Sequence, residues 1–366
     1  MENIWQKYAR VLVEYSLGVN KNDLVIIRSE AQAQPLIQAL YEEILKKGAY
    51  PLLRLTIDGI NESYYRHATD EQFEFIDPFT SLEYEKADKF ISIGAPYNVK
   101  NLAKIPPAKL AKRSAATKAL SDKFMKRSAE GSLKWVVCDF PTNALAQEAK
   151  MSLYDYQEFL LSSCYLHLDD PVAKWREIGE GQERLVKYMN NVKKVRITGE
   201  KTDITLSTED RIWINCQGQF NFPDGEIFTS PVESSAEGEI YFDFPAIYRG
   251  SEASGIHLKF EKGKVVHATA EKGEEFFLSM INQDEGARYL GELAFGTNDM
   301  IQDVTGNILF DEKIGGSIHM ALGASYPETG GKNQSGLHWD IIKNMKNGGK
   351  IFADDVLIYE NGKFLI

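Results

Sequence analysis

Hydrophobic and polar positions change their spacing along this chain. Over the first seventeen residues Ile4, Tyr8, Val11, Leu12 and Tyr15 recur on one face of a 3.6-residue period, which predicts an amphipathic helix. The run NDLVIIRS that follows is short, apolar and rich in β-branched residues, and reads as a buried strand. QPLIQALYEEILKKGAY then returns to helical spacing through Leu36, Ile37, Leu40, Tyr41, Ile44 and Leu45, with Gly48 as the expected C-cap. Further strands are predicted at 51–57 (PLLRLTI), 89–95 (KFISIGA) and 134–141 (KWVVCDFP). Strands separated by helices imply a largely parallel sheet covered on both faces, hence an α/β fold for this half.

From about residue 166 the texture differs. LDDPVAKWREIGEGQERLVKYMNNV reads as a helical connector, and KKVRITGEKTDITLSTED as two short strands joined by a charged turn. Many short strands with Gly, Asn and Asp turns follow, including GIHLKFEKGKVVHATAEKG. The expected division is an N-terminal α/β domain with its connector over 1–187 and a C-terminal α+β domain over 188–366. A length of 366 residues agrees with two domains, since one hydrophobic core seldom organises so long a chain.

Composition narrows the function. The net charge of −11 repels a phosphate backbone, which argues against nucleic acid as a partner. The basic segment at 109–127, KLAKRSAATKALSDKFMKR, runs against that trend and reads as a solvated helix face. No GxGxxG or P-loop follows any of the early strands, so the first half shows no phosphate-binding motif. No stretch reaches the ~18 apolar residues of a membrane span, and the N-terminus lacks the apolar core of a signal peptide, so a cytoplasmic chain is expected. Three cysteines, Cys138, Cys164 and Cys216, form no CxxC and read as small buried hydrophobes.

The candidate chemistry lies late in the chain, where two of the six histidines fall within twenty residues. In LHWDI a strand sends His338 and Asp340 to one face while Leu337, Trp339 and Ile341 pack behind, whereas a helix would separate the pair by about 200°. SIHMALG alternates likewise, with His319 opposite Ile318, Met320 and Leu322. Glu226, after the turn in PDGEIFTSP, and Glu292, in YLGELAFG, are isolated acids in apolar settings. A buried carboxylate needs a cation or a hydrogen-bonding partner. A metal would serve, and so would a turn cap for Glu226 or a lysine for Glu292. His67, His167, His257 and His267 are read as structural.

PDGEIFTSPVE, LGELAFGTN, HMALGASYPETGG and HWD, in this order, resemble the thermophilic aminopeptidase family, peptidase family M29. The resemblance implies a two-domain, homodimeric metallo-aminopeptidase with two divalent ions, Zn2+, Co2+ or Mn2+, in the C-terminal domain. Carried over motif by motif, it implies Glu226, Glu292, His319, His338 and Asp340 as metal ligands. Tyr326 matches the family's active-site tyrosine, and Glu312, in the FDE segment, an acid that precedes the first histidine. The spacing EKIGGSIH between Glu312 and His319 is looser than in some members.

Five such ligands suffice for two ions if a carboxylate bridges them, and the open positions would take water and substrate. In this scheme an ion also holds the free α-amine of a short peptide, Glu312 is the general base, and Tyr326 donates to the oxyanion. A rival reading takes His319, His338 and Asp340 as the facial triad of a non-haem iron dioxygenase acting on an N-heteroaromatic substrate, since some pyridine-opening dioxygenases resemble this family. That triad would leave Glu226 and Glu292 redundant. A third reading is a non-catalytic binding protein, which the open, carboxylate-rich and cysteine-free ligand set disfavours.

Overall fold

The computed structural model describes residues 3–248 and 250–366, and the chain divides into two compact units. The first comprises Met1–Val172 with Gly218–Pro223, the second Ala173–Gln217 with Asp224–Ile366.

The first unit is built on a parallel sheet in the order Tyr50–Thr56, Leu24–Glu30, Lys89–Gly94, Lys134–Asp139 and Asn221–Phe222. Its four long strands are those the apolar runs predict. The fifth comes from far along the chain and is only two residues long, so no local pattern announces it. The central strands are covered as expected, but Tyr50–Thr56 is an edge strand that leaves Leu52, Leu53 and Leu55 exposed. The N-terminal helix runs over Ile4–Arg10 and is capped by a box in which the Asn3 side chain accepts from the Gln6 N–H and the Gln6 side chain accepts from the Asn3 N–H. Met1 and Glu2, at the start of the predicted helix, lie outside the described residues. The basic segment forms the helix Pro107–Ala129, which buries none of its residues, as a solvated face requires.

In the second unit an antiparallel eight-stranded sheet runs from Lys264–Thr269 to Lys363–Phe364 among the described residues, and includes the predicted hairpin Lys194–Gly199 with Thr202–Ser207. A separate antiparallel sheet has the order His338–Asn344, Ser317–Gly323, Leu290–Gly296, Glu226–Thr229 and Ile214–Cys216. One hydrophobic core joins them, drawing Leu293, Phe295, Ile318, Met320, Leu322, Trp339 and Ile341 from the second sheet. Such alternation leaves the other face of these strands to the polar residues.

The division between units falls at 172/173, not at the expected 187/188. The helix Pro171–Met189 supplies Val186 and Met189 to the core of the second unit, so its apolar face ties it there.

Candidate metal centre

The register of the second sheet brings the five expected ligands to one face. Asp340 pairs with Ala321, which also pairs with Glu292 on the other side. His319 and His338 lie two residues from Ala321 and Asp340, and therefore share their face. Gly296, four residues from Glu292, pairs with Glu226. Between the ligands the same face carries Ala294, Gly296, Ala321 and Gly323. Small side chains there keep the floor of the site low.

Glu226 owes its direction to the turn before it. Gly225 has φ +120, and a Cβ there would stand 2.9 Å from the Asn298 Cβ. The Thr297 N–H donates to Gly225 O at 2.8 Å and the Asn298 amide to Asp224 O at 2.9 Å, which fixes the turn against the end of the neighbouring strand.

The reactive atoms converge. His319 Nε2 lies 3.5 Å from both Glu226 Oε2 and Glu292 Oε1. His338 Nε2 lies 3.3 Å from Glu292 Oε2 and 3.6 Å from Asp340 Oδ1. Glu292 thus turns one oxygen to each histidine. The His338 Nδ1 is 2.8 Å from the carbonyl of Ala324, which can only accept, so Nδ1 carries the proton and Nε2 is left to face the cluster.

Glu226 Oε2, both ring nitrogens of His319 and Asp340 Oδ1 are buried without a hydrogen-bond partner. Unpaired buried polar atoms are costly, and several aimed at one another call for a cation. Ligand atoms of Glu292, His319 and Asp340 all lie within 4.8 Å of one another. The residues present therefore fit a divalent metal.

Proton affinities express the same demand. Burial pushes Glu226 up to about 8 despite the lysine beside it. Burial also raises Asp340, to about 6, with His338 opposing. For Glu292 burial works upward, but His319 and His338 prevail and hold it at about 2. Burial lowers the affinity of each imidazole, yet Glu292 and its neighbouring carboxylates outweigh it and hold His319 at about 9 and His338 at about 10.

Tyr326 stands over this face. Its ring packs edge-on against Phe228 and His338, and its hydroxyl is 3.3 Å from His338 Nε2. Burial raises the phenol's proton affinity, so it remains a donor. The glycine-rich loop after it is pinned locally: Asn333 donates to Gly323 O and Gly286 O, and Gly331 packs so closely on Ser230 and Ser325 that a Cβ would clash.

Glu312 ends the short helix Ile308–Asp311 and pairs with Lys313. Sequence reasoning missed Lys313. It is fully buried, 2.7 Å from Glu226 Oε1 and 3.7 Å from Asp224 Oδ1. The lysine expected as an alternative partner for Glu292 thus exists, but it pairs with Glu226. Cys216, read as a small hydrophobe, is half-buried beside Asp224 and Glu226.

An antiparallel sheet presenting imidazoles and carboxylates from adjacent strands defines a metal-dependent enzyme. The sequence profile described as Thermophilic metalloprotease (M29) matches residues 1–364, and the chain belongs to that family. It is 27% identical to aminopeptidase PepS of Streptococcus thermophilus, over 100% of this chain and 98% of that one. Its fold is similar to that of AmpT from Thermus thermophilus, with a TM-score of 0.86, 22% identity and 99% of each chain covered. It is also similar in fold to 2,5-dihydroxypyridine dioxygenase from Pseudomonas putida KT2440, with a TM-score of 0.59, 13% identity, and 99% of this chain and 96% of that one covered. Among the described residues no helix is long and apolar enough to cross a membrane.

Proposed function

We propose that this metallo-aminopeptidase removes the N-terminal residue from short peptides, and that Glu226, Glu292, His319, His338 and Asp340 would hold two divalent ions. Glu226, Glu292 and His319 would hold one ion and Glu292, His338 and Asp340 the other. The observation that carries this reading is that Glu292 turns a different oxygen to each histidine. When bound, such ions lower the pKa of a water and polarise the scissile carbonyl.

The chain's own residues do the rest. Glu312 takes the proton from the attacking water and returns it to the leaving amine. Tyr326, whose ring is held by packing on Phe228 and His338, donates to the oxyanion of the tetrahedral intermediate, where one positioned donor is worth about 3 kcal/mol. The surrounding carboxylates favour the positive charge of a free amino terminus. Zinc, cobalt and manganese all suit a mixed imidazole and carboxylate set. A dioxygenase triad of His319, His338 and Asp340 would give Glu226 and Glu292 no task, although both face the same cluster. A cytoplasmic homodimer completes the proposal, its enclosed sites admitting short peptides.

The test is hydrolysis of aminoacyl p-nitroanilides and short peptides with and without an N-acetyl group. Release should require the free amine, stop with chelator and return with added divalent ion. Equal turnover of blocked and free substrates would refute the exopeptidase reading, and oxygen consumption with a pyridine substrate would favour the rival.

A further inference from the structure

Lys313 is a fully buried ammonium with three carboxylates as ion-pair partners: Glu226 Oε1 at 2.7 Å, Glu312 Oε1 at 2.5 Å and Asp224 Oδ1 at 3.7 Å. A buried charge persists only with such partners. Cys216, Asp224 and Glu226 bring ligand atoms within 4.8 Å of one another, an arrangement suited to a cation. Here the chain itself supplies one.

Glu226 divides its oxygens between two tasks. Oε1 accepts a charge-assisted hydrogen bond from Lys313, while Oε2 faces His319 without a hydrogen-bond partner. A carboxylate bound to an ammonium through one oxygen has less charge to offer an ion on the other. The other half of the cluster is free of such competition: among the described residues the cationic side chains facing Glu292 and Asp340 are the histidines alone.

We propose that Lys313 is a built-in monovalent cation that makes the two metal positions unequal, so that the Glu292–His338–Asp340 position fills first and the Glu226–Glu292–His319 position fills later and more weakly. The inference rests on the two-position reading above. Two positive charges sharing one buried carboxylate repel strongly in a low-dielectric site, so a separation of at least about tenfold between the two constants is expected.

The experiment titrates the metal-free full-length chain with Mn2+, following bound ion by equilibrium dialysis and ion–ion coupling by electron paramagnetic resonance. The first equivalent should give the hyperfine pattern of an isolated ion. A spin-coupled spectrum should appear only as a second equivalent enters at higher free Mn2+. In Lys313→Met, checked for folding by circular dichroism, the two constants should move together. A coupled spectrum from the first addition to wild type would overturn the inference and leave the two-position reading standing. Saturation at one ion per chain would overturn the two-position reading itself. An unchanged separation in folded Lys313→Met would remove the lysine as the cause.

Discussion

His319 and His338 lie on adjacent antiparallel strands and share one carboxylate, with Nε2 of the first 3.5 Å from Glu292 Oε1 and Nε2 of the second 3.3 Å from Glu292 Oε2. Substituting Glu292 therefore strikes both halves of the proposed centre at once. Glu292→Gln keeps the shape and removes the charge, and should lower affinity for both ions by more than about 100-fold, beyond the effect of losing a partner that merely supports a ligand. Metal content after gel filtration measures it. Retention of two ions would show that Glu292 is no bridge.

Glu312 gives the opposite pattern. Its partner is Lys313, which also holds Glu226, so Glu312→Gln should leave the metal in place. Turnover should fall by about 10²–10⁴-fold, the usual contribution of a positioned general base. Loss of metal in this variant would make Glu312 a ligand.

Tyr326→Phe removes one hydroxyl and leaves the ring packing on Phe228 and His338. Metal content and KM should stay near wild type while kcat drops by about 100-fold. A variant as fast as wild type would take Tyr326 out of the mechanism.

Metal should also stabilise the fold. The cluster buries Glu226, Glu292 and His319 with several polar atoms unpaired, a cost that a bound cation removes. Ligand at a hundred times its Kd contributes about 2.7 kcal/mol, so thermal unfolding should shift upward on adding Zn2+ or Mn2+ and downward on chelation. An unfolding temperature indifferent to metal would contradict the proposed ligand set.

Much of the site is legible in the sequence because strand periodicity is local. The two-residue spacing of His338 and Asp340, and the apolar residues alternating with His319, place each on a polar face before any partner strand is known. The lone acids Glu226 and Glu292 stand out because their neighbours are apolar. The four long strands of the parallel sheet are legible for the same reason.

Other features depend on residues distant in sequence, and only the tertiary structure decides them. Lys313 sits in the run DEK, which by pattern is an ordinary surface charge cluster. It is buried because the helix Ile308–Asp311 ends against the Glu226 turn, 87 residues away, and no local period encodes that approach. The strand Asn221–Phe222 joins the parallel sheet across a similar gap, pairing with Val137 and Cys138. The sequence alone determined which residues can share a face and so the chemical character of the centre. Register between strands, which hydrogen bonding and core packing set together, decided that the faces of four strands coincide and that a lysine stands among the carboxylates.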